Sequence, residues 1–234
     1  MSSITSHEKF KGVFWVVPPD GKRRPATLNL TPRQQFYGEE LVEYSGDEYR
    51  LWNPFRSKIS AGILRQIKEM PISPGTSLLY LGVATGTTCS HLSDMIGEHG
   101  MIYGVDFAPT PMRDFIENLA KYRRNVSPIL ADARNPSSYR VFMPKVDVIY
   151  SDVAQPNQAQ ILADNSDLLL RKGGWGLIAI KSQSIDVTES PHAIYQRETE
   201  FLKHRNFTII EQVSLDPYEK DHALVAARFA GETE

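Results

Sequence analysis

From residue 55 onward, short apolar runs alternate with helical patterns, and this alternation constrains the fold more than any other feature of the chain. The intervening segments repeat apolar residues every three or four positions. Such alternation predicts βαβ units around a mostly parallel sheet with helices on both faces. The predicted strands are 77–81, 101–106, 126–130, 146–151 and 176–181, and the predicted helices are 88–96, 111–122, 158–170 and 191–204.

A further helix precedes the first of these strands, and two strands follow the last helix. Phe55, Ile59, Ile63 and Ile67 recur every four residues, so they mark one face of an amphipathic helix that ends before Pro71. The final strands, 208–213 and 223–229, are joined without a helix, which predicts an antiparallel hairpin at one edge of the sheet. Residues 56–234 therefore form the larger of two predicted domains.

The smaller predicted domain, residues 1–55, has the pattern of an antiparallel β unit. Period-two runs at 10–17, 26–30 and 40–49 are typical of strands, and turn residues interrupt the pattern at 18–21 and 45–47. Up to residue 60 the chain carries nine basic and seven acidic residues, although its overall net charge is −2. The remainder is therefore acidic.

Composition excludes several classes of protein. The single cysteine, Cys89, excludes a disulfide framework, and no Cys/His cluster has the spacing of a zinc site. The apolar runs are far shorter than the roughly 20 residues that span a bilayer, and the N-terminus lacks the apolar run of a signal peptide, so we expect a cytoplasmic protein with no membrane partner. The near-neutral charge argues against a protein that binds nucleic acid tightly on its own.

A nucleotide-like ligand is predicted at the turn after the first strand of the larger domain. The turn, 82–88, is rich in small residues that let the backbone approach a ligand, and the helix after it supplies unpaired N–H groups. Its Gly-x-Ala-x-Gly spacing lacks the third glycine of a pyrophosphate fingerprint, because Cys89 stands at that position. Asp106 ends the next strand, where an acidic side chain can accept hydrogen bonds from ribose hydroxyls. We therefore expect a ligand with a ribose and no pyrophosphate.

Other strands also end in ionisable residues. Asp132 and Asp152 follow the third and fourth strands, so they are expected to converge with Asp106 on one crevice, Asp132 near an adenine amine and Asp152 near the reacting group. Lys181 ends the fifth strand, and we interpret it as placed for chemistry. Lys58 lies beside the apolar stripe of its helix and by itself predicts a solvated flank.

Two histidines compete for a place at this crevice. His222 opens the final strand, whereas His192 begins the helix at 191–204. An isolated histidine is usually a surface or capping residue. The residue pattern alone does not choose between them.

Four segments carry long, ordered motifs: Trp52-Asn53-Pro54-Phe55-Arg56-Ser57-Lys58, Tyr80-Leu81-Gly82-Val83-Ala84-Thr85-Gly86-Thr87-Thr88, Asp152-Val153-Ala154-Gln155-Pro156 and Asp221-His222-Ala223. They resemble fibrillarin, the S-adenosylmethionine-dependent RNA 2′-O-methyltransferase family of box C/D ribonucleoproteins. The resemblance runs from near residue 10 to near residue 230, and the lack of a Gly/Arg-rich N-terminal region indicates the archaeal type. It implies a small antiparallel β domain followed by a Rossmann-like, seven-stranded methyltransferase domain.

The resemblance also implies site residues. The family's Lys-Asp-Lys-His catalytic set corresponds to Lys58, Asp152, Lys181 and His222, which selects His222 over His192. The implied cofactor is S-adenosyl-L-methionine, and the matching positions are Gly82, Ala84, Thr87, Thr88, Asp106, Phe107, Asp132, Ala133, Asp152, Val153, Ala154 and Gln155. Many relatives have Glu where this chain has the shorter Asp106.

These residue types suit methyl transfer to a ribose 2′-hydroxyl. The hydroxyl must attack the methyl carbon in line, so two lysines beside it would stabilise the developing negative charge while Asp152 holds a lysine in place. We interpret Lys181 as the central catalytic group. Its role as general base stays open, because an ordinary lysine is protonated near neutral pH and a neighbouring carboxylate favours that form.

The resemblance implies the catalytic subunit of a guide-RNA complex that modifies rRNA and tRNA. The implied partners are a Nop-type scaffold protein, a box C/D guide RNA and a kink-turn-binding protein, so the isolated chain should bind RNA weakly. Protein glutamine methylation is a secondary activity of some relatives. Two other classes are weighed against this one: a nicotinamide-dependent oxidoreductase, disfavoured by the glycine spacing and the lack of a second substrate domain, and a non-enzymatic scaffold, disfavoured by the intact catalytic positions.

Overall fold

A five-stranded antiparallel sheet occupies the N-terminal part of the computed structural model, which describes residues 3–18 and 21–231. Its strands follow the spatial order β1-β2-β3-β5-β4. They are β1 (Ser3–Ser6), β2 (Phe14–Val17), β3 (Arg24–Leu28), β4 (Leu41–Tyr44) and β5 (Asp47–Leu51). The predicted β unit is thus confirmed, while Pro19 and Asp20 of the predicted turn lie outside the described residues.

A seven-stranded sheet with the order β11-β12-β10-β9-β6-β7-β8 forms the rest of the fold. Its strands are β6 (Ser77–Leu81), β7 (Met101–Asp106), β8 (Val126–Leu130), β9 (Val146–Ser151), β10 (Leu170–Lys181), β11 (Phe207–Ser214) and β12 (His222–Phe229). Strands β6 to β10 are parallel, and β12 runs antiparallel to both β10 and β11. The mostly parallel sheet and its C-terminal hairpin are therefore both confirmed.

Six α-helices connect these strands: α1 (Lys58–Leu64), α2 (Thr87–Ile96), α3 (Pro109–Asn118), α4 (Gln158–Leu169), α5 (Ser182–Ile185) and α6 (Pro191–His204) in the described part of the chain. One buried cluster contains Ile59 and Leu92, from α1 and α2, and the other contains Ile161 and Ile194, from α4 and α6. The helices therefore cover both faces of the large sheet, as the alternation predicts. None of these helices has the length and apolarity of a transmembrane span.

Some predicted boundaries were wrong, each for a local reason. The helix expected from Phe55 to Ile67 is only seven residues long, because Phe55 lies in a turn and Gln66 adopts a φ of 60°. Strand β1 went unpredicted because three of its four residues are exposed, which leaves no apolar alternation to detect. Strand β10 begins six residues before its predicted start, through a bulge between Leu170 and Trp175.

The small sheet is joined to α2 through the buried carboxylate of Asp94. Arg50 on β5 contacts Asp94 Oδ2 at 2.7 Å, and Arg123 contacts Oδ1 at 2.6 Å. The Thr27 hydroxyl donates to Oδ2 at 2.7 Å, and the Leu30 backbone N–H donates to Oδ1 at 3.1 Å. This carboxylate thus receives donors from several elements, which offsets the cost of burying its charge. Whether residues 1–55 form a separate domain stays a prediction.

His91, one turn before Asp94 on α2, belongs to the same network. Its Nδ1 lies 2.8 Å from the Thr27 hydroxyl oxygen, and its Nε2 lies 2.8 Å from the Tyr37 hydroxyl oxygen. Because the Thr27 hydroxyl already donates to Asp94, it accepts from Nδ1, and Nε2 is the acceptor of the neutral ring. Burial lowers the pKa of His91 well below its usual value, and the nearby arginines lower it further.

Replacing Asp94 should destabilise the fold strongly. Asp94→Asn preserves the size of the side chain but leaves Arg50 and Arg123 buried without their shared counter-charge. We expect the free energy of unfolding to fall by about 3–5 kcal/mol, measured by urea denaturation. Glu117→Gln, which breaks the exposed pair with Lys121, is the control and should leave the midpoint unchanged. Equal midpoints for both variants would contradict the role of the network.

The buried neutral His91 should also make stability depend on pH. The unfolded chain gains a proton on this histidine below about pH 6.5, whereas the folded chain does not, so stability is complete above that pH and is lost as pH falls. The expected slope is about 1.4 kcal/mol per pH unit. His91→Gln should remove this part of the slope between pH 6.5 and 5, whereas His99→Gln, at an exposed position, should retain it. Identical slopes in both variants would refute this account.

Candidate active site

The turn between β6 and α2 lies directly against the end of β9. Gly82 adopts a φ of 79°, and a Cβ built on it would stand 2.9 Å from the backbone oxygen of Asp152. Gly86, the N-cap of α2, has a φ of 90°, and its Cβ would stand 2.6 Å from the Phe115 ring. Both positions therefore need glycine for conformation and for space. The turn predicted from its small residues therefore brings the carboxyl ends of β6 and β9 together.

Asp106 holds two turns in place at the end of β7. Its Oδ2 accepts a hydrogen bond from the Ala84 backbone N–H at 2.9 Å, and its Oδ1 accepts one from the Ala108 N–H at 2.9 Å. Ala84 has a φ of 50°, a conformation that a side chain other than glycine adopts at a cost. The carboxylate thus fixes the turn before α2 and the turn before α3 relative to each other.

A cavity of about 300 Å³ opens at the carboxyl ends of the parallel strands. Ten of the twelve predicted cofactor residues line it: Gly82, Ala84, Asp106, Phe107, Asp132, Ala133, Asp152, Val153, Ala154 and Gln155. The other two, Thr87 and Thr88, lie in the first turn of α2, and the Thr88 hydroxyl donates to Ser57 at 3.0 Å. Thr88 therefore ties the start of α2 to the start of α1, where Lys58 follows.

Asp132 is paired with Arg134, a residue that the sequence analysis did not single out. Arg134 Nη2 lies 2.6 Å from Asp132 Oδ2, and its Nε donates to the same carboxylate. These hydrogen bonds hold the pKa of Asp132 below its usual value. Any ligand amine would share this carboxylate with the guanidinium. A basic residue two positions after a strand-ending acid was the available signal in the sequence.

Asp152 and two lysines form the charged centre of the site. Lys181 Nζ lies 2.9 Å from Asp152 Oδ1 and donates to the Asp152 backbone oxygen at 2.8 Å. Lys58 Nζ lies 3.4 Å from the same Oδ1. Both lysine side chains are only 15% exposed, so the sequence-based expectation that Lys58 is a solvated flank was wrong. Lys58 is largely shielded from solvent because α1 packs against β12 and places the lysine beside Asp152 and Glu219.

Two further groups that sequence reasoning missed adjoin this centre. Glu219 Oε1 lies 3.8 Å from Lys58 Nζ, so Lys58 stands between two carboxylates. The Tyr150 hydroxyl donates to Asp152 Oδ2 at 3.4 Å, and burial raises the pKa of Tyr150 well above its usual value, with the Asp152 charge as a further cause. Tyr150 is therefore a neutral donor at this site. No local sequence pattern marks either contact, because both join segments far apart in the chain.

The backbone of Lys181 is clamped by Gln158, the first residue of α4. The Lys181 N–H donates to Gln158 Oε1 at 2.9 Å, and Gln158 Nε2 donates to the Lys181 carbonyl at 3.1 Å. Gln158 is fully buried, and both the oxygen and the nitrogen of its side-chain amide form hydrogen bonds with the backbone of Lys181. This clamp fixes the point at which β10 ends and therefore where the lysine side chain begins.

His222 lies directly opposite Lys181 in the pairing of β10 with β12. Its Nδ1 is 2.6 Å from the Lys220 carbonyl oxygen. Because a carbonyl only accepts, Nδ1 carries the hydrogen and Nε2 is the acceptor of the neutral ring. His192, by contrast, is exposed in the first turn of α6. The strand register thus brings His222 beside the predicted catalytic lysine.

Comparison with known proteins shows the same architecture in one family. The fibrillarin family model matches residues 4–231. A "Fibrillarin-like rRNA/tRNA 2'-O-methyltransferase" from Thermococcus sibiricus is 52% identical over 220 residues, which cover 94% of this chain and 96% of that protein.

Two solved structures extend this similarity to three dimensions. Aeropyrum pernix fibrillarin, described as a complex with natively bound S-adenosyl-L-methionine, has 47% identity and a TM-score of 0.91, over 97% of this chain and 99% of that one. A fibrillarin/Nop5p complex has 35% identity and a TM-score of 0.83, over 95% of this chain and 100% of that one. Because the family model and a 52% identical relative match nearly its whole length, the chain belongs to the fibrillarin family.

Proposed function

We propose that this protein is an S-adenosylmethionine-dependent RNA 2′-O-methyltransferase that modifies rRNA and tRNA. The observation that carries the proposal is the position of Lys181, which lines the strand-end cavity and contacts Asp152 at 2.9 Å. A methyl donor in the cavity and a hydroxyl beside the lysines would then meet at one point. The activity named for the 52% identical relative supports the same reaction.

The chemistry of the cavity fits S-adenosylmethionine better than a dinucleotide. Its two basic lining side chains, Arg134 and Lys181, are each paired with an aspartate, so the described residues offer no unpaired cation to a pyrophosphate there. Asp106 would accept from the ribose hydroxyls, and Phe107, which is 62% exposed, would pack on the adenine. The natively bound S-adenosylmethionine of the Aeropyrum pernix protein supports this fit.

Further residues complete the proposed cofactor contacts. The methionine end would be surrounded by the turn residues Gly82 and Ala84 and by Thr87 and Thr88 in the first turn of α2. Asp132 and Ala133 would lie at the adenine, and the segment 152–155 would lie beside the reacting end. When bound, S-adenosylmethionine supplies an electrophilic methyl group on a positively charged sulfur.

The two lysines would stabilise negative charge on the RNA 2′-oxygen. As this oxygen takes the methyl group it loses its proton, and Lys58 and Lys181, held 3.4 Å and 2.9 Å from Asp152 Oδ1, place two ammonium groups at one point. Charges fixed in a largely buried site stabilise a transition state without reorganising. Asp152 and Glu219 keep these lysines close to each other before RNA binds, because they balance the two positive charges.

His222 offers an acceptor nitrogen for the proton, whereas the carboxylates of Asp152 and Glu219 are occupied by the two lysines. Lys181 already directs a hydrogen to the Asp152 carbonyl and pairs with its carboxylate, so freeing its amine would break both interactions. The neutral imidazole has its Nε2 lone pair available, because the Lys220 carbonyl fixes the hydrogen on Nδ1. We therefore assign electrostatic stabilisation to the lysines and proton acceptance to His222.

The partners and location of the enzyme belong to the same proposal. The fibrillarin/Nop5p structure supports a Nop-type scaffold protein as a partner. A box C/D guide RNA and a kink-turn-binding protein would complete the complex, in the cytoplasm, and the guide would choose the nucleotide. Protein glutamine methylation stays an implication of the family resemblance.

Replacing Lys181 tests the assignment of the reaction centre. Lys181→Ala keeps the backbone clamp to Gln158 but removes the ammonium group, so methyl transfer should fall about 10²- to 10³-fold by analogy with other lost charge-stabilising groups. Labelled-methyl transfer to a guide-paired target, in a reconstituted complex with both protein partners, measures this. S-Adenosylmethionine affinity should hold, since a lysine does not attract a sulfonium.

The matched control is Lys172→Ala, at the opposite end of the same strand, and it should retain full activity. Retained turnover in Lys181→Ala would refute the assignment. Loss of S-adenosylmethionine binding in that variant would show instead that Lys181 holds the cofactor.

Replacing Asp106 tests the cofactor site. The two oxygens of Asp106 accept from the backbone N–H groups of Ala84 and Ala108. In Asp106→Asn an amide nitrogen replaces one of these oxygens, so one backbone N–H loses its acceptor, and the charge that would bind ribose hydroxyls is lost as well. We expect the Kd of S-adenosylmethionine to rise about 10- to 100-fold by calorimetry, and its thermal shift to shrink.

Asp147→Asn is the control for this change. Asp147 also accepts from a backbone N–H, that of Ser77, but lies near the amino-terminal end of β9, at the other end of the parallel strands from the cavity. It should leave cofactor affinity unchanged. A thermal shift of the unmodified protein with NAD and none with S-adenosylmethionine would contradict the proposed cofactor.

A further inference from the structure

A second, larger concave surface lies outside the cofactor cavity. It has a volume of about 660 Å³ and runs between the small sheet and the segment that leads into α1. We call it the basic groove, and its defining residues are Lys22, Arg23, Arg24, Tyr37, Phe55 and Arg56. None of these residues belongs to the cofactor or catalytic set proposed above.

The charge of the basic groove is positive. Four basic residues line it together with two acidic ones, Glu39 and Glu40. Arg23 is paired with Glu8 at 2.6 Å, and Arg24 lies 3.7 Å from Glu40, so part of this positive charge is balanced locally. Glu39 is fully buried and paired with Arg50 at 2.6 Å, so its charge is already balanced inside the protein. Arg56 is exposed and makes no ion pair with any residue in 3–18 or 21–231; its guanidinium lies 5.7 Å from the centre of the Tyr37 ring. Such a surface attracts a polyanion.

An aromatic side chain is presented beside this positive charge. Phe55 is 63% exposed, and its ring forms an edge-type pair with the Tyr218 ring, with ring centres 5.3 Å apart. The turn that carries it is fixed, because Asn53 Oδ1 accepts from the Phe55 N–H at 2.9 Å and the Asn53 carbonyl accepts from the Arg56 N–H at 3.2 Å. An ordered, exposed aromatic ring next to an arginine is the composition of a surface on which nucleobases stack.

The basic groove ends at the reaction centre. Phe55 precedes Lys58 by three residues, and Tyr218 immediately precedes Glu219, which lies 3.8 Å from Lys58 Nζ. The Phe55–Tyr218 pair therefore stands at the boundary between the groove and the lysine cluster. A strand that leaves the cluster at this boundary passes over the exposed ring.

We propose that the basic groove binds the RNA strand next to the target nucleotide, with a base stacked on Phe55 and a phosphate on Arg56. The proposal rests on the proposed RNA methylation. Stacking accepts any base, which suits an enzyme whose target is chosen by pairing with a guide. The groove would fix the strand on one side of the ribose and so align its 2′-hydroxyl with Lys58 and Lys181.

Three variants at one position separate stacking from packing. In the reconstituted complex, Phe55→Leu should raise the KM for target RNA about tenfold, because it removes a stacked ring while keeping an apolar side chain. Phe55→Trp should restore the KM to within about twofold. The kcat at saturating RNA and the Kd of S-adenosylmethionine should stay within about twofold of the parent in both variants.

Arg56→Gln tests the phosphate contact by salt dependence. It should reduce the slope of log KM for RNA against log salt by about one, the change expected for one lost phosphate contact. Lys203→Gln, which removes an exposed cation on α6 at the other face of the large sheet, should leave the slope unchanged.

Several outcomes would overturn the proposal. An unchanged KM in Phe55→Leu would do so, as would a KM that Phe55→Trp fails to restore. Loss of the scaffold protein from the complex on gel filtration, with RNA affinity intact, would show that the groove docks protein instead. Failure of RNA methylation itself is distinguishable, because the parent complex would then be inactive with every target strand.

Discussion

The buried carboxylate of Asp94 is the constraint on which the geometry of the site depends. A carboxylate in the interior is tolerated only when donors surround it, and here Arg50, Arg123, Thr27 and the Leu30 backbone N–H do so. Arg50 belongs to β5, the last strand of the small sheet along the chain, and Asp94 belongs to the helix that begins at the turn 82–88, the proposed cofactor turn. One ion pair therefore aligns both parts of the molecule, and eight residues after Arg50 the chain reaches Lys58.

Asp152 joins separate elements at the carboxyl ends of the parallel strands, as Asp94 joins the small sheet to α2. Its backbone oxygen lies so close to Gly82 that a larger residue would not fit there, and the same oxygen accepts a hydrogen bond from Lys181. Its carboxylate pairs with both Lys58 and Lys181. A single residue thus touches the cofactor turn and both lysines. Its side chain alone balances one positive charge, and Glu219 balances the other. The resting cluster is then neutral, and a developing negative charge on RNA would compete with the two acids for the lysines.

Features that repeat along the sequence were predictable, and features that depend on distant contacts were not. Strand and helix order, the cofactor turn and Asp106 follow from periodicity and from the rule that parallel strands end at one edge. The partial burial of Lys58 does not, because it depends on the start of α1 meeting Asp152, which follows a strand far away in the sequence. Glu219 and Gln158 were missed for the same reason: a surface glutamate and a helix-starting glutamine have ordinary local patterns, and only tertiary contacts distinguish them.

The distribution of charge resolves the conflict between a net charge of −2 and an RNA substrate. A guanidinium adds to the external field only if its charge is not balanced nearby, and Arg50 and Arg123 are buried against Glu39 and Asp94. Lys58 and Lys181 are likewise balanced by Asp152 and Glu219. Arg23 and Arg24 are paired with Glu8 and Glu40, so what remains for RNA is the excess of basic over acidic residues in the N-terminal part, with Arg56 as an exposed cation that has no ion pair among the described residues. In the proposed complex, a near-neutral chain would therefore guide a strand toward the two lysines locally, while the proposed partners and guide RNA would supply most of the affinity.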